Sequence, residues 1–213
     1  MCRVGAPARL IFIRHADINC SLNGTALLCG SHDAPLSPNG HRQVESLRSR
    51  LSAASHAAAL YSSPLRRAVE TARAAPPELL DRIRLLNSLA EIHCGTVEGV
   101  AIEEVRRRYP ELWTRNEAQA DDDFRWPGGG ESYRRFRRRV LRAVCSISAL
   151  HPDQCVLVVT HAGVVNQVLN AIAGQPAACW EKPRPRNCSL TEVLWEGGTG
   201  RVECFDDVTH LVP

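Results

Sequence analysis

Two stretches decide the fold: Leu10-Ile11-Phe12-Ile13-Arg14-His15 and Cys155-Val156-Leu157-Val158-Val159-Thr160-His161. Each is a short unbroken apolar run that ends in a histidine. Runs of this length read as strands buried on both faces, the pattern of a parallel sheet. Open α/β sheets bind ligands beyond the carboxyl ends of such strands. The two imidazoles are therefore expected on one edge of one sheet.

Helical periodicity fills the space between the strands. Val44, Leu47 and Leu51 predict a helix over about 40–54. Ala58 to Tyr61 is a short strand. Ser63 and Pro64 then predict an N-cap and first turn for a helix over 65–75. A strand is expected over 82–86, helices over 98–109 and 111–118, and a polar loop over 121–130. Phe136, Val140, Val144 and Ile147 form one stripe of a long helix over 131–150. A helix over 163–173 follows, then strands over 189–195 and 201–205 around Gly197-Gly198-Thr199-Gly200. Alternation of this kind predicts an α/β class, three layers, with a doubly wound, mostly parallel sheet and helices on both faces. One domain over 1–213 is expected, with a cap segment at about 98–132.

Composition narrows the classes. The 213 residues are 44% hydrophobic and 23% charged, which excludes collagen, long coiled coil and general disorder. No apolar run is long enough to cross a bilayer. The opening MCRVGAPARLIFIRH has only a four-residue apolar run between arginines, a poor signal peptide. Nine cysteines, an odd count with no CxxC pair, predict reduced thiols in the cytoplasm. The net charge of +3 is carried almost wholly by arginine, since Lys182 is the only lysine. Arginine grips phosphate or carboxylate in a planar fork.

Further motifs lie between the two histidines. They are Gly30-Ser31-His32-Asp33-Ala34-Pro35-Leu36-Ser37-Pro38-Asn39-Gly40-His41-Arg42-Gln43, Ser63-Pro64-Leu65-Arg66-Arg67-Ala68-Val69-Glu70-Thr71-Ala72, Leu89 to Gly99 around Glu91, and Pro127 to Ser132. With Arg14-His15-Ala16 and Val159-Thr160-His161-Ala162-Gly163, they form six ordered matches. In this the chain resembles the histidine phosphatase superfamily, the phosphoglycerate mutase-like or "RHG" family. Its size and the Pro-Gly-Gly-Glu-Ser type segment resemble the α-ribazole and broad-specificity phosphatase branches.

The resemblance implies a metal-independent phosphomonoester hydrolase acting on a small phosphorylated metabolite, with no cofactor. It implies His15 as the nucleophile that becomes phosphohistidine. Arg14 and Arg67, rather than Arg66, hold the phosphoryl oxygens, with a protonated His161 beside them. Glu91 is the general acid and base. Asn23 and Ala162 are further phosphate contacts. Such a reaction rests on positioning and charge stabilisation, which two guanidinium groups and two imidazoles supply.

Ala16 departs from the family glycine, and its methyl is expected to constrict the pocket floor. Asp17 stands where glutamate is common. His93 reads equally as a substrate contact or a solvated loop histidine. Cys20, Cys29 and Cys94 fall near the pocket by register. Two alternatives accompany the phosphatase reading: a phosphoglycerate-type mutase and an inactive phosphate-binding scaffold. The run Arg134-Arg135-Phe136-Arg137-Arg138-Arg139 raises nucleic-acid binding, but Phe136 and Val140 belong to the buried stripe, so a solvated helix face is expected. No nucleic-acid or membrane partner is expected. Oligomeric state, a homodimer included, stays open.

Overall fold

The computed structural model describes residues 6–22, 24–52 and 56–211. In chain order its strands are β1 (Ala8–Arg14), β2 (Ser21–Leu22), β3 (Thr25–Ala26), β4 (Ala57–Ser62), β5 (Arg84–Leu85), β6 (Cys155–Thr160), β7 (Leu190–Glu196) and β8 (Thr199–Asp207). The helices are α1 (Pro38–Ser52), α2 (Arg66–Ala72), α3 (Pro77–Leu80), α4 (Ile102–Arg108), α5 (Pro110–Glu117), α6 (Tyr133–Leu150) and α7 (Ala162–Ile172).

The main sheet has the order β5-β4-β6-β1-β7-β8. Strands β5, β4, β6 and β1 run parallel. β7 turns antiparallel against β1, and β8 against β7. Gly197 and Gly198 take φ of 58° and 89°, so the last hairpin closes in two residues and β8 begins earlier than expected.

Residues of the central strands alternate between two cores. Leu10, Phe12, Val156 and Val158 pack against α6 and α7. Ile13, Leu60, Leu157 and Val159 pack against α1 and α2. A third apolar cluster, including Cys94, Val105, Phe124, Trp126, Tyr133 and Ala178, gathers α4 and α5. It draws on residues beyond the expected cap segment, because the 177–180 stretch folds back onto it.

Several helix starts differ from the sequence reading, each for a capping reason. α1 opens at Pro38, because the Ser37 hydroxyl accepts the Gly40 N–H at 3.0 Å and donates to Asp17 at 2.5 Å. The predicted residues 53 and 54 of that helix lie outside the described residues. α2 opens at Arg66, not at Leu65. Its first N–H is taken by the Asp33 carboxylate at 2.7 Å, so Ser63 is not its cap. α6 opens at Tyr133 with Ser132 as N-cap, and Glu131 pairs instead with Arg139 at 2.9 Å.

The cysteine expectation is corrected as well. Cys20 and Cys29 form a disulfide, their Cα atoms 6.7 Å apart. The β2–β3 ribbon folds the intervening loop onto itself and brings its two ends together.

Candidate active site

β1 and β6 pair in register, with Arg14 opposite Thr160. His15 and His161 are each the next residue, so strand pairing alone brings them together. The His15 N–H donates to Thr160 O at 2.8 Å. The ring centroids are 5.2 Å apart. β4 ends on the same edge, where the Ser63 N–H donates to Val159 O at 2.9 Å.

His15 is buried, and its Nδ1 donates to Ala16 O at 2.7 Å. That bond fixes the tautomer and leaves the Nε2 lone pair unprotonated. Burial, reinforced by the charges of Arg67 and Arg14, holds its pKa well below the usual 6.5. Asn187 Nδ2 donates to the His15 carbonyl at 3.0 Å and steadies the turn.

His161 is fully buried. Its Nδ1 accepts from Arg67 Nε at 3.2 Å, so its proton sits on Nε2, which donates to Ser63 Oγ at 2.7 Å. Burial first, then the Arg67 charge, holds its pKa well below 6.5. With Nδ1 accepting and Nε2 donating, His161 is a neutral imidazole in this arrangement.

Arg67 is 1% exposed and donates to Gly30 O at 2.6 Å and His32 O at 2.5 Å. With the bond to His161, three of its five N–H groups are used, and two stay open. Arg66 is exposed and pairs with Glu70 at 2.7 Å. Arg14 donates NH1 to Pro185 O at 2.7 Å, while its buried Nε has no partner among the described residues. Burial, and then the nearby Arg184 charge, bring the Arg14 guanidinium down to about 10.

Glu91 follows a 3₁₀ turn over Asn87–Leu89. Arg139 pins this segment by donating to the carbonyls of Ser88, Ala90 and Glu91 at 2.9, 2.7 and 3.0 Å. The Glu91 carboxylate accepts from Gly163 N at 2.9 Å and Ile92 N at 3.0 Å. A Cβ at position 163 would overlap Glu91 Oε1. The Glu91 charge reaches both Arg14 and Arg67 and offsets part of the burial that lowers them. Beside Glu91 lies a cavity of about 320 Å³ whose lining includes Ala162, Gly163, Cys29, Cys94 and Arg184.

The other singled-out residues sort as follows. Asn23 lies outside the described residues. Ala16 does not line the cavity. Its methyl is fully buried in the α1–α2 core, and its N–H donates to Thr71 Oγ1 at 2.9 Å. His93 Nδ1 shares a 2.8 Å hydrogen bond with Ser31 Oγ and is half exposed, outside the cavity lining. Arg137 and Arg139 are not simply solvated: Arg137 binds Gln167 and the carbonyls of Gln175 and Pro176. Sequence reading missed Arg139, Arg184, Pro185 and Asn187. Only Arg139 carried a signal, one arginine in a run of five.

A family model described as "Histidine phosphatase superfamily (branch 1)" matches residues 10–208. The chain belongs to the histidine phosphatase superfamily. Phosphoglycerate mutase-like protein 4 of Arabidopsis thaliana is 27% identical, over 96% of this chain and 87% of that one. The metal-independent phosphoserine phosphatase of Arabidopsis thaliana is 27% identical, over 95% and 82%. The solved structure of Bacillus stearothermophilus YhfR superposes with a TM-score of 0.80 at 30% identity, over 95% of this chain and 98% of that one. The chain is a phosphatase of this superfamily, and its mixed, mostly parallel sheet is the superfamily's fold. No helix among the described residues is long and apolar enough to cross a membrane.

Proposed function

We propose that the chain hydrolyses a small phosphomonoester in the cytoplasm, without a metal, through a phosphohistidine on His15. One observation carries this reading. The unprotonated Nε2 of His15 sits in a buried site with two guanidinium groups that still have N–H groups to give, including the orphaned Arg14 Nε. A buried donor without a partner is costly, and an anion relieves it.

The geometry supports the following roles. Arg14 and Arg67 take the equatorial oxygens of the phosphoryl group, whose spread charge is the main thing to be stabilised. His161 turns its Nε2–H hydrogen bond from Ser63 Oγ to the same group and keeps its proton. The His15 Nε2 lone pair forms a bond to phosphorus as the ester P–O bond breaks. The departing oxygen takes a proton from Glu91, which enters the cycle as the carboxylic acid and is returned to that form by the water of the second step. Water then attacks the phosphohistidine, giving its proton to Glu91, and the N–P bond breaks to release inorganic phosphate. Arg14 and Arg67 carry the neutralising charge.

The test is turnover of p-nitrophenyl phosphate in EDTA by wild type and His15→Ala. The reading expects undiminished wild-type rate and a variant slowed at least about 10³-fold, with phosphate binding largely kept. A variant that keeps more than about a tenth of the rate contradicts it.

A further inference from the structure

The cavity beside Glu91 is walled mainly by rings and branched carbons: Trp113, Trp126, Tyr133, Phe136, Trp180 and Leu28. Trp113 and Trp180 are only partly buried. Both are held in place. Arg106 lies 4.6 Å from the Trp113 ring centroid, and Trp126 crosses it at 6.1 Å. Trp180 Nε1 donates to Asn116 O at 3.1 Å.

Much of the polar chemistry of the wall is already committed to the protein. The Tyr133 hydroxyl donates to Asn116 Oδ1 at 2.7 Å. Gln167 accepts from Arg137 at 2.8 Å and donates to Ala177 O at 2.8 Å. A small, strongly hydrated leaving group would strip its water here and recover few hydrogen bonds. An apolar one would cover the rings. Size sets the upper bound. A cavity of about 150 Å³ holds benzene, and this one is about 320 Å³. Arg184 lines the same space and offers a guanidinium plane, which stacks on an aromatic face.

We propose that the alcohol released at this site carries a flat apolar group of one or two rings, held against Trp113 and Trp180. The inference rests on the assignment of His15 and Glu91 above. It says which phosphomonoesters the site selects, not how it cleaves them.

Ethyl, benzyl and 2-naphthylmethyl phosphate test it, since all three are esters of primary alcohols with similar leaving-group basicity. The expected kcat/KM rises from ethyl to naphthylmethyl by about thirtyfold or more, the worth of about 2 kcal/mol of added contact. Trp113→Ala and Trp180→Ala each cut that ratio about tenfold. Equal values for the three esters, or a ratio that both variants leave intact, overturn the proposal. Binding is read separately with phosphonates that cannot be hydrolysed, in wild type and His15→Ala, by tryptophan fluorescence. 2-Naphthylmethylphosphonate is expected to bind at least thirtyfold more tightly than methylphosphonate. Equal affinity overturns the subsite even where chemistry proceeds through His15, and a large preference upholds it even where the phosphohistidine assignment fails.

Discussion

The Glu91 carboxylate reaches across the end of α7 to the Gly163 N–H, 2.9 Å away, and leaves no room for a side chain at position 163. The proposed acid–base group and the helix that follows His161 are thus fitted to each other. A methyl at 163 would push the carboxylate away from its place.

Gly163→Ala is therefore expected to act as a displaced Glu91. The rate on alkyl phosphates should fall about 10²-fold or more, and on p-nitrophenyl phosphate much less, since a good leaving group needs little protonation. Steady-state kinetics on both substrates check this. Equal slowing of both would separate Glu91 from leaving-group protonation.

Arg67 and Arg66 are adjacent but differ in kind. Arg67 is clamped by two carbonyls and His161, and Arg66 lies on the exposed face with Glu70. Lysine cannot reproduce the fork. Arg67→Lys is expected to lose about 10²–10³ in kcat/KM, while Arg66→Lys stays within about twofold. Comparable losses in the two variants would contradict the assignment.

Stability should depend on pH through the histidine pair. Burial holds both folded pKa values well below 6.5. Below pH 6.5 the unfolded chain binds protons that the folded chain does not. Unfolding free energy therefore falls as pH drops, by up to about 1.4 kcal/mol per pH unit for each histidine. Urea melts at pH 7.5 and 5.5 should show the loss, and His15→Asn should reduce the slope. A flat profile between these values would mean that the rings are not buried neutral.

The Cys20–Cys29 bond closes the loop that leads to Gly30, whose carbonyl holds Arg67. Cross-linking a loop of this length is worth about 2–3 kcal/mol. Thiol titration of the unfolded oxidised protein should gain two groups on reduction, and the reduced protein should melt at lower temperature. An unchanged titre would show that the pair is not oxidised.

What the sequence made legible was whatever repeated or alternated. The apolar runs ending at His15 and His161 announced both strands and their shared edge, because parallel burial writes itself as continuous Val, Leu and Ile. The order of motifs pointed to Arg67 over Arg66. The protonation state of His161 was hidden, since it depends on Arg67 Nε, distant in the chain. Asp33 capping α2, and Pro185 and Asn187 steadying Arg14 and His15, were equally hidden. Such long-range bonds to single backbone atoms leave no periodicity behind. The disulfide was obscured for a related reason: the two-residue strands β2 and β3 are too short to show a pattern.

The central claim is a covalent bond between His15 and phosphorus. Rapid acid-free quenching of wild type with ³²P-labelled substrate, followed by peptide mapping, tests it directly. The expected result is a label that survives alkali, is lost in mild acid, maps to the peptide containing His15 and is absent from His15→Ala. Steady turnover with no label on His15, or with an acid-stable label elsewhere, would contradict the account.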